Sequence, residues 1–200
     1  MAAVLTTKTA MGYSGKLTQI SKGLNWLLTT TFDGGPVDLI NISLGRLPYH
    51  DYLYRTMKDY RDQGVVMVAA IGNGGNSGAN CHRSPANYDI TVGVGATDAS
   101  DTAASFSDWG TVPQHGNQAK PDLCAPGVKV WSCLSGGGYG PMNGTSMATP
   151  LVTGAAALLI EQREEFRKDP EGLVGALFAL VKPATPPPRV GRGRLDLTAI

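Results

Sequence analysis

A chain of 200 residues is long enough for one domain with a substantial core. Its formal net charge of +1 creates no field that would attract nucleic acid or an anionic membrane, so neither is expected as a partner. No apolar run is long enough to cross a bilayer, and the first residues lack the basic-then-apolar pattern of a signal peptide.

In chain order, Ala2–Thr7 is a short strand candidate and Gly12–Gly15 reads as a loop. Leu17, Ile20, Leu24, Leu27 and Leu28 recur at helical spacing, and Gly34-Gly35-Pro36 closes that region. Val37–Leu44 reads as a buried parallel strand, Pro48–Gln63 as a helix ended by Gly64, and Val65–Ile71 as a second buried strand. A loop at Gly72–Asn76 follows, and then a strand over Ile90–Val94. Asp98–Gly116 is rich in turn residues and is expected on the surface, with Asp98, Asp101 and Asp108 as turn residues rather than a metal cluster. Val128–Ser132 is a short strand candidate, Leu173–Val181 a helix, and Pro183–Pro188 a stiff connector. Alternating strands and helices point to an α/β fold with a mostly parallel sheet covered on both faces.

The three cysteines, Cys81, Cys124 and Cys133, are an odd number without metal-site spacing. Cys124 and Cys133 are near enough in sequence to pair, and buried free thiols are the other reading.

Asn143-Gly144-Thr145-Ser146-Met147-Ala148-Thr149-Pro150, followed by small and aliphatic residues to Ile160, organises the chain. Pro150 has no N–H to donate and so belongs near a helix start, which falls at Thr145 or Ser146. Ser146 then sits at a helix N-terminus, where free N–H groups and the macrodipole favour negative charge. A serine in that position is usually a plain cap. The octet as a whole, however, resembles the nucleophile motif of the subtilisin-like serine proteases (subtilases), with Leu151 where the family usually has His. Further segments in matching order are Asp38–Gly45, Val66–Asn73, Ser84–Ala86 with Val92–Ala96, Asp122–Gly127 and Val190–Asp196.

The resemblance implies a three-layer α/β/α fold and a serine endopeptidase acting on peptide or protein substrates. Ser146 would be the nucleophile, with Asn73 and the Ser146 N–H as oxyanion donors. Ser43, Leu44 and Gly45 would pair with an extended substrate, opposite a wall of Tyr13, Ser14 and Gly15. Ala69, Ala70, Ile71 and Gly72, with Pro85 and Ala86, would line the specificity pocket, and their small size suggests room for a sizeable apolar side chain. No cofactor is required. Structural calcium is common in the family, but no ligand set can be located here.

The family also needs a His base and an Asp. His50, His82 and His115 are in none of the expected contexts and read as surface residues. The chain, residues 1–200, is therefore expected to be a partial peptidase domain lacking the N-terminal strands and His helix. An N-terminal segment carrying Asp and His would be its partner, and secretion of a full-length form is the family habit. On this expectation the chain alone is unstable or inactive. The alternatives are a non-catalytic peptide-binding module and a half-enzyme that needs a second chain.

Overall fold

The computed structural model describes residues 7–9, 12–14, 16–30 and 37–198. The chain divides into two compact units, Met1–Asp38 and Leu39–Ile200.

In the first unit, β1 (Thr7–Thr9) and β2 (Gly12–Ser14) pair antiparallel, with Lys8 opposite Tyr13. The loop expected at Gly12–Gly15 is therefore strand over Gly12–Ser14, because the pairing with β1 overrides the local turn chemistry of its glycine and serine. Ala2–Thr6 and Gly34–Pro36 lie outside the described residues. Helix α1 (Leu17–Thr29) begins where the apolar spacing placed it, with Leu24 and Leu27 buried. The Gln19 side chain accepts from the Lys16 N–H at 2.7 Å and so occupies one of the unpaired donors at the helix start.

The second unit is built on a six-stranded sheet in the order β11-β12-β8-β5-β4-β3. Its members are β3 (Leu39–Ile42), β4 (Val66–Ala70), β5 (Val92–Thr97), β8 (Leu123–Pro126), β11 (Val181–Lys182) and β12 (Arg194–Leu195). The strands from β3 to β12 run parallel, and β11 is antiparallel to β12. Every residue of β4 and β5 is buried, so both faces are covered, as the unbroken apolar runs require.

Helix α3 (Thr145–Gln162) covers one face, packing Ala148, Val152, Ala155, Ala156 and Leu159 against Val66, Val68, Val92, Val94 and Leu123. Helix α4 (Pro170–Ala179) adds Leu173 and Leu177 to the same core. On β4, Met67 and Ala69 alternate to the other face. Helix α2 (Tyr54–Asp62) touches β4 and buries Met57 and Tyr60. Its first turns are lost relative to the Pro48–Gln63 expectation, because Tyr49 and His50 are drawn into loop contacts with His115, Ser84 and Tyr88.

The segment over Asp98–Gly116 is not the exposed turn region expected from its composition. Ala103, Ala104, Ser107, Asp108 and Val112 are buried, and β6 (Gly110–Val112) pairs antiparallel with β7 (Gln118–Lys120). Beyond β8, β9 (Val130–Cys133) and β10 (Tyr139–Met142) form an antiparallel hairpin. A short helix, α5 (Pro187–Val190), replaces part of the stiff connector. All three cysteines are free, with Cys124 buried and Cys133 exposed, which excludes a bridge between them. Burial pushes the Cys124 thiol up to about 12.

Candidate active site

The site forms where the two segments that follow β3 and β4 meet the start of α3. This is the sheet edge at which open parallel sheets place their ligands. Helix α3 starts at Thr145, within the expected window, and its N-cap, Gly144, has no side chain with which to cap it. A side chain from another segment can therefore take a first-turn N–H group. The Thr145 N–H donates to Asn73 Oδ1 at 2.9 Å, and the Thr145 hydroxyl donates to the same oxygen at 3.0 Å. Thr145 Oγ1 in turn accepts from the Gly72 N–H at 3.2 Å, which locks the loop after β4 onto the helix.

These contacts fix the Asn73 amide. With Oδ1 committed as acceptor, Nδ2 is the group left to donate. A Cβ built on Gly144 would lie 3.4 Å from Asn73 Nδ2 and 3.7 Å from the Ser146 nitrogen. Two donors thus border one small space beside Gly144, whose φ of +154° keeps that space free of a side chain. The helix start adds its partial positive charge there.

Pro150 lies one turn inside α3, where it cannot donate to the Ser146 carbonyl. The Ser43 hydroxyl replaces that missing bond, donating to the Ser146 carbonyl at 3.0 Å. In return the Ser146 hydroxyl donates to the Ser43 carbonyl at 3.2 Å. Ser43 and Ser146 are therefore tied reciprocally, and the residues after β3 are held beside Ser146 Oγ. Leu151, where the family usually has His, is exposed on the next turn.

The Asn73 loop is braced from below by Asp108. Its Oδ1 accepts from the Gly74 N–H at 2.5 Å, and its own N–H donates to the Gly72 carbonyl at 3.0 Å. Gly72 has φ of +118°, and a Cβ there would overlap the Asp108 carboxylate. Asp108 is fully buried and faces Arg83, whose Nε lies 3.4 Å from Oδ2. Burial raises its affinity for a proton, and the Gly74 N–H and Arg83 counter that only in part. The expectation of a surface Asp108 is therefore corrected: the residue is a buried support.

Of the remaining expected site residues, Ala69, Ala70, Ile71, Pro85 and Ala86 are buried, while Ser43 is exposed and Leu44 and Gly45 are partly so. Ser43–Gly45 continue from β3 without a ladder partner, and Arg46 then bridges to Ser84. Tyr13 and Ser14 belong to β2 of the first unit, and Gly15 lies outside the described residues.

None of the histidines bonds to Ser146, and none is a simple surface residue. His82 is buried, with Nε2 paired to the Thr111 carbonyl at 2.8 Å and Nδ1 to the Asn87 amide at 3.2 Å. His115 stacks on Tyr54, pairs with the Tyr49 hydroxyl at 3.1 Å, and lies 3.4 Å from Asp89. Both ring nitrogens of His50 are buried without a partner among the described residues, and burial first, then Arg46, lowers its affinity for a proton. Sequence reasoning missed Thr145, Asp108 and Arg83. Thr145 could have been found from its place beside Ser146, and Arg83 from its place just before Ser84-Pro85. Among the described residues no group of three His, Cys, Asp or Glu side chains could hold a metal ion, and no helix is long and apolar enough to cross a membrane.

A profile of the Subtilase family matches residues 2–176. The chain belongs to that family. It is 40% identical over 151 residues to subtilisin amylosacchariticus of Bacillus subtilis subsp. amylosacchariticus, an alignment covering 74% of this chain and 36% of the relative. To the subtilisin of Bacillus pumilus it is 40% identical over 151 residues, covering 74% and 50%. Among solved structures it is similar to the prenylagaramide maturation protease PagA, with TM-score 0.75 and 26% identity over 92% of this chain and 66% of that one. The patellamide maturation protease PatA gives TM-score 0.73 and 29% identity over 89% and 65%. The chain thus spans between about a third and a half of the length of these two curated relatives.

Proposed function

We propose that residues 1–200 are part of a subtilisin-like serine endopeptidase domain, carrying its nucleophile and oxyanion hole. The observation that carries this reading is the pair of donors, Asn73 Nδ2 and the Ser146 N–H, bordering one space beside Ser146. A binding surface for peptides has no need of such a pair.

In this reading the Ser146 Oγ attacks the carbonyl carbon of a peptide bond while its proton passes to a base. The carbonyl oxygen, now negative, enters the space beside Gly144 and receives both hydrogen bonds. Loss of the amine leaves an acyl-enzyme on Ser146, which water hydrolyses. Residues 43–45, next to Ser146, offer backbone groups to an extended substrate. Ala69–Gly72, Pro85 and Ala86 back the pocket for the residue preceding the cleaved bond.

The base and its orienting carboxylate are assigned to residues outside this chain. That assignment is supported by the engagement of His82 and His115 elsewhere, by the absence of a ring hydrogen bond from His50 to Ser146 among the described residues, and by the greater length of the relatives. Fluorophosphonate labelling of the full gene product and of residues 1–200 alone, each with a Ser146→Ala control, tests the reading. Ser146-dependent labelling of the full product, with little or none of the shorter chain, is the expected result. Absence of labelling in a folded full product would overturn it.

A further inference from the structure

The residues expected to line the specificity pocket are small and apolar, but Arg83 lies against the same two segments. The Arg83 N–H donates to the Ile71 carbonyl at 3.0 Å. Ser84, the next residue, exchanges both backbone hydrogen bonds with Arg46, at 2.9 and 3.1 Å. Arg83 therefore lies between the wall that runs from Ser43 to Arg46 and the wall that runs from Ala70 to Asn73. Its side chain touches both. A Cβ on Gly45 would come within 2.8 Å of Arg83 Cβ, and one on Gly72 within 2.6 Å of Arg83 Cδ and Nε. Each glycine leaves the space that this one arginine fills.

The guanidinium is only partly committed. Nε meets Asp108 Oδ2 at 3.4 Å, a long contact for a charged pair. The other carboxylate oxygen is taken by the Gly74 N–H. Among the described residues neither terminal amino group of Arg83 makes a hydrogen bond, and the side chain is 33% exposed while Asp108 is 0% exposed. Two N–H-bearing groups of a partly exposed cation are thus left to meet a ligand, and Arg83 Nη2 reaches toward the Asn73 loop, 3.8 Å from where a Cβ on Gly74 would be. The planar fork of a guanidinium matches a carboxylate with two parallel hydrogen bonds.

Resting on the reading of the groove given above, we infer that Arg83 is a specificity-determining residue. It selects substrates with an acidic side chain, glutamate above all, on the N-terminal side of the cleaved bond. Ser146 Oγ is 3.2 Å from the Ser43 carbonyl on one wall, and Asn73 ends the other, so a side chain entering between the walls belongs to the residue whose carbonyl is attacked. A large apolar side chain would have to strip water from the guanidinium without replacing its hydrogen bonds.

The test uses the full gene product carrying Ser146→Ala and fluorescein-labelled Ala-Ala-Pro-X-amide peptides, with X as Glu, Gln, Phe or Ala, read by fluorescence polarisation. Glu is expected to bind about tenfold tighter than the isosteric, neutral Gln, and the gap should narrow in high salt. Arg83→Gln should bring Glu to the level of Gln, whereas Arg83→Lys should keep part of the preference. If Arg83→Gln fails to fold, Arg83→Gln with Asp108→Asn removes both charges of the pair and gives the same readout. Equal binding of Glu and Gln, tighter binding of Phe or Ala than of Glu, or a Glu preference that survives loss of Arg83, would overturn the inference. Fluorophosphonate labelling of Ser146 does not depend on X, so failure of the catalytic reading shows there and failure of Arg83 recognition shows in the binding ratio.

Discussion

Lys120 offers the sharpest test of the core. It is 1% exposed, yet it carries a cation. Its Nζ donates to Asp122 Oδ2 at 2.5 Å and to the Thr91 carbonyl at 2.9 Å. The same Asp122 oxygen accepts from the Gly93 N–H at 2.6 Å, and Oδ1 accepts from the Gln118 amide at 3.4 Å. Lys120→Met keeps the volume of the side chain but removes the cation and both of its hydrogen bonds. Asp122 is left as an uncompensated charge with an 11% exposed side chain. Removing one member of a buried pair typically costs about 3–5 kcal/mol. The retained Gly93 and Gln118 bonds put the expected loss toward the lower end, at roughly 3 kcal/mol. For a protein of this size that corresponds to a fall in Tm of about 6–12 °C. Chemical denaturation of matched Ser146→Ala proteins measures the loss. Lys120→Met with Asp122→Asn should recover most of it, since no charge is then left alone. A loss under about 1 kcal/mol, or strictly additive effects in the double variant, would refute the assignment of Lys120 and Asp122 as an interdependent buried pair.

Asn73→Ala should lower the fluorophosphonate labelling rate of the full product without changing its fold, by about the 10²–10³ measured for the corresponding loss in a subtilisin. Unchanged labelling would remove Asn73 from the oxyanion hole. Ser43→Ala leaves the Ser146 carbonyl without its donor and should cost about 0.5–1.5 kcal/mol in denaturant, with no gain from adding Pro150→Ala unless the restored helix N–H takes over that carbonyl. In native protein at pH 8, iodoacetamide should modify exposed Cys133 and spare Cys124, and raising the pH to about 10 should not change that, because the Cys124 thiol is held neutral up to about 12. Mass spectrometry showing Cys124 modified in folded protein at either pH would contradict its burial.

The sheet was legible in part because a buried parallel strand is an unbroken apolar run, as over Val65–Ile71, whereas the strand expected at Ile90–Val94 runs over Val92–Thr97, where glycines and a threonine interrupt the apolar pattern. The start of α3 was legible from Pro150 alone, since a residue without an N–H fits only near a helix start or where another donor takes its place. The rest depends on contacts distant in sequence. Gly12–Ser14 is a strand only because Thr7–Thr9 pairs with it. Asp108 looks like any turn aspartate until the Gly72–Gly74 backbone closes on it. Arg83 carries no local mark of its role, because the two glycines that shelter it lie 38 residues before it and 11 before it in the chain, at Gly45 and Gly72. The three histidines were misread for the same reason: a ring packed against Tyr54, bonded to Asn87 or buried without a partner leaves no periodic signature.

The proline inside α3 has a consequence for timing. It moves a hydrogen bond that would have been local to the helix into a tie between positions 103 apart, and the Asn73–Thr145 clamp spans a further 72. Contacts of such separation are among the last that a folding chain can close, because each must first offset the entropy of a long loop. An isolated α3 would therefore present Ser146 without the Ser43 contact and Thr145 without the Asn73 clamp. The arrangement around Ser146 is in this way assembled late, after the segments that supply it have been brought together.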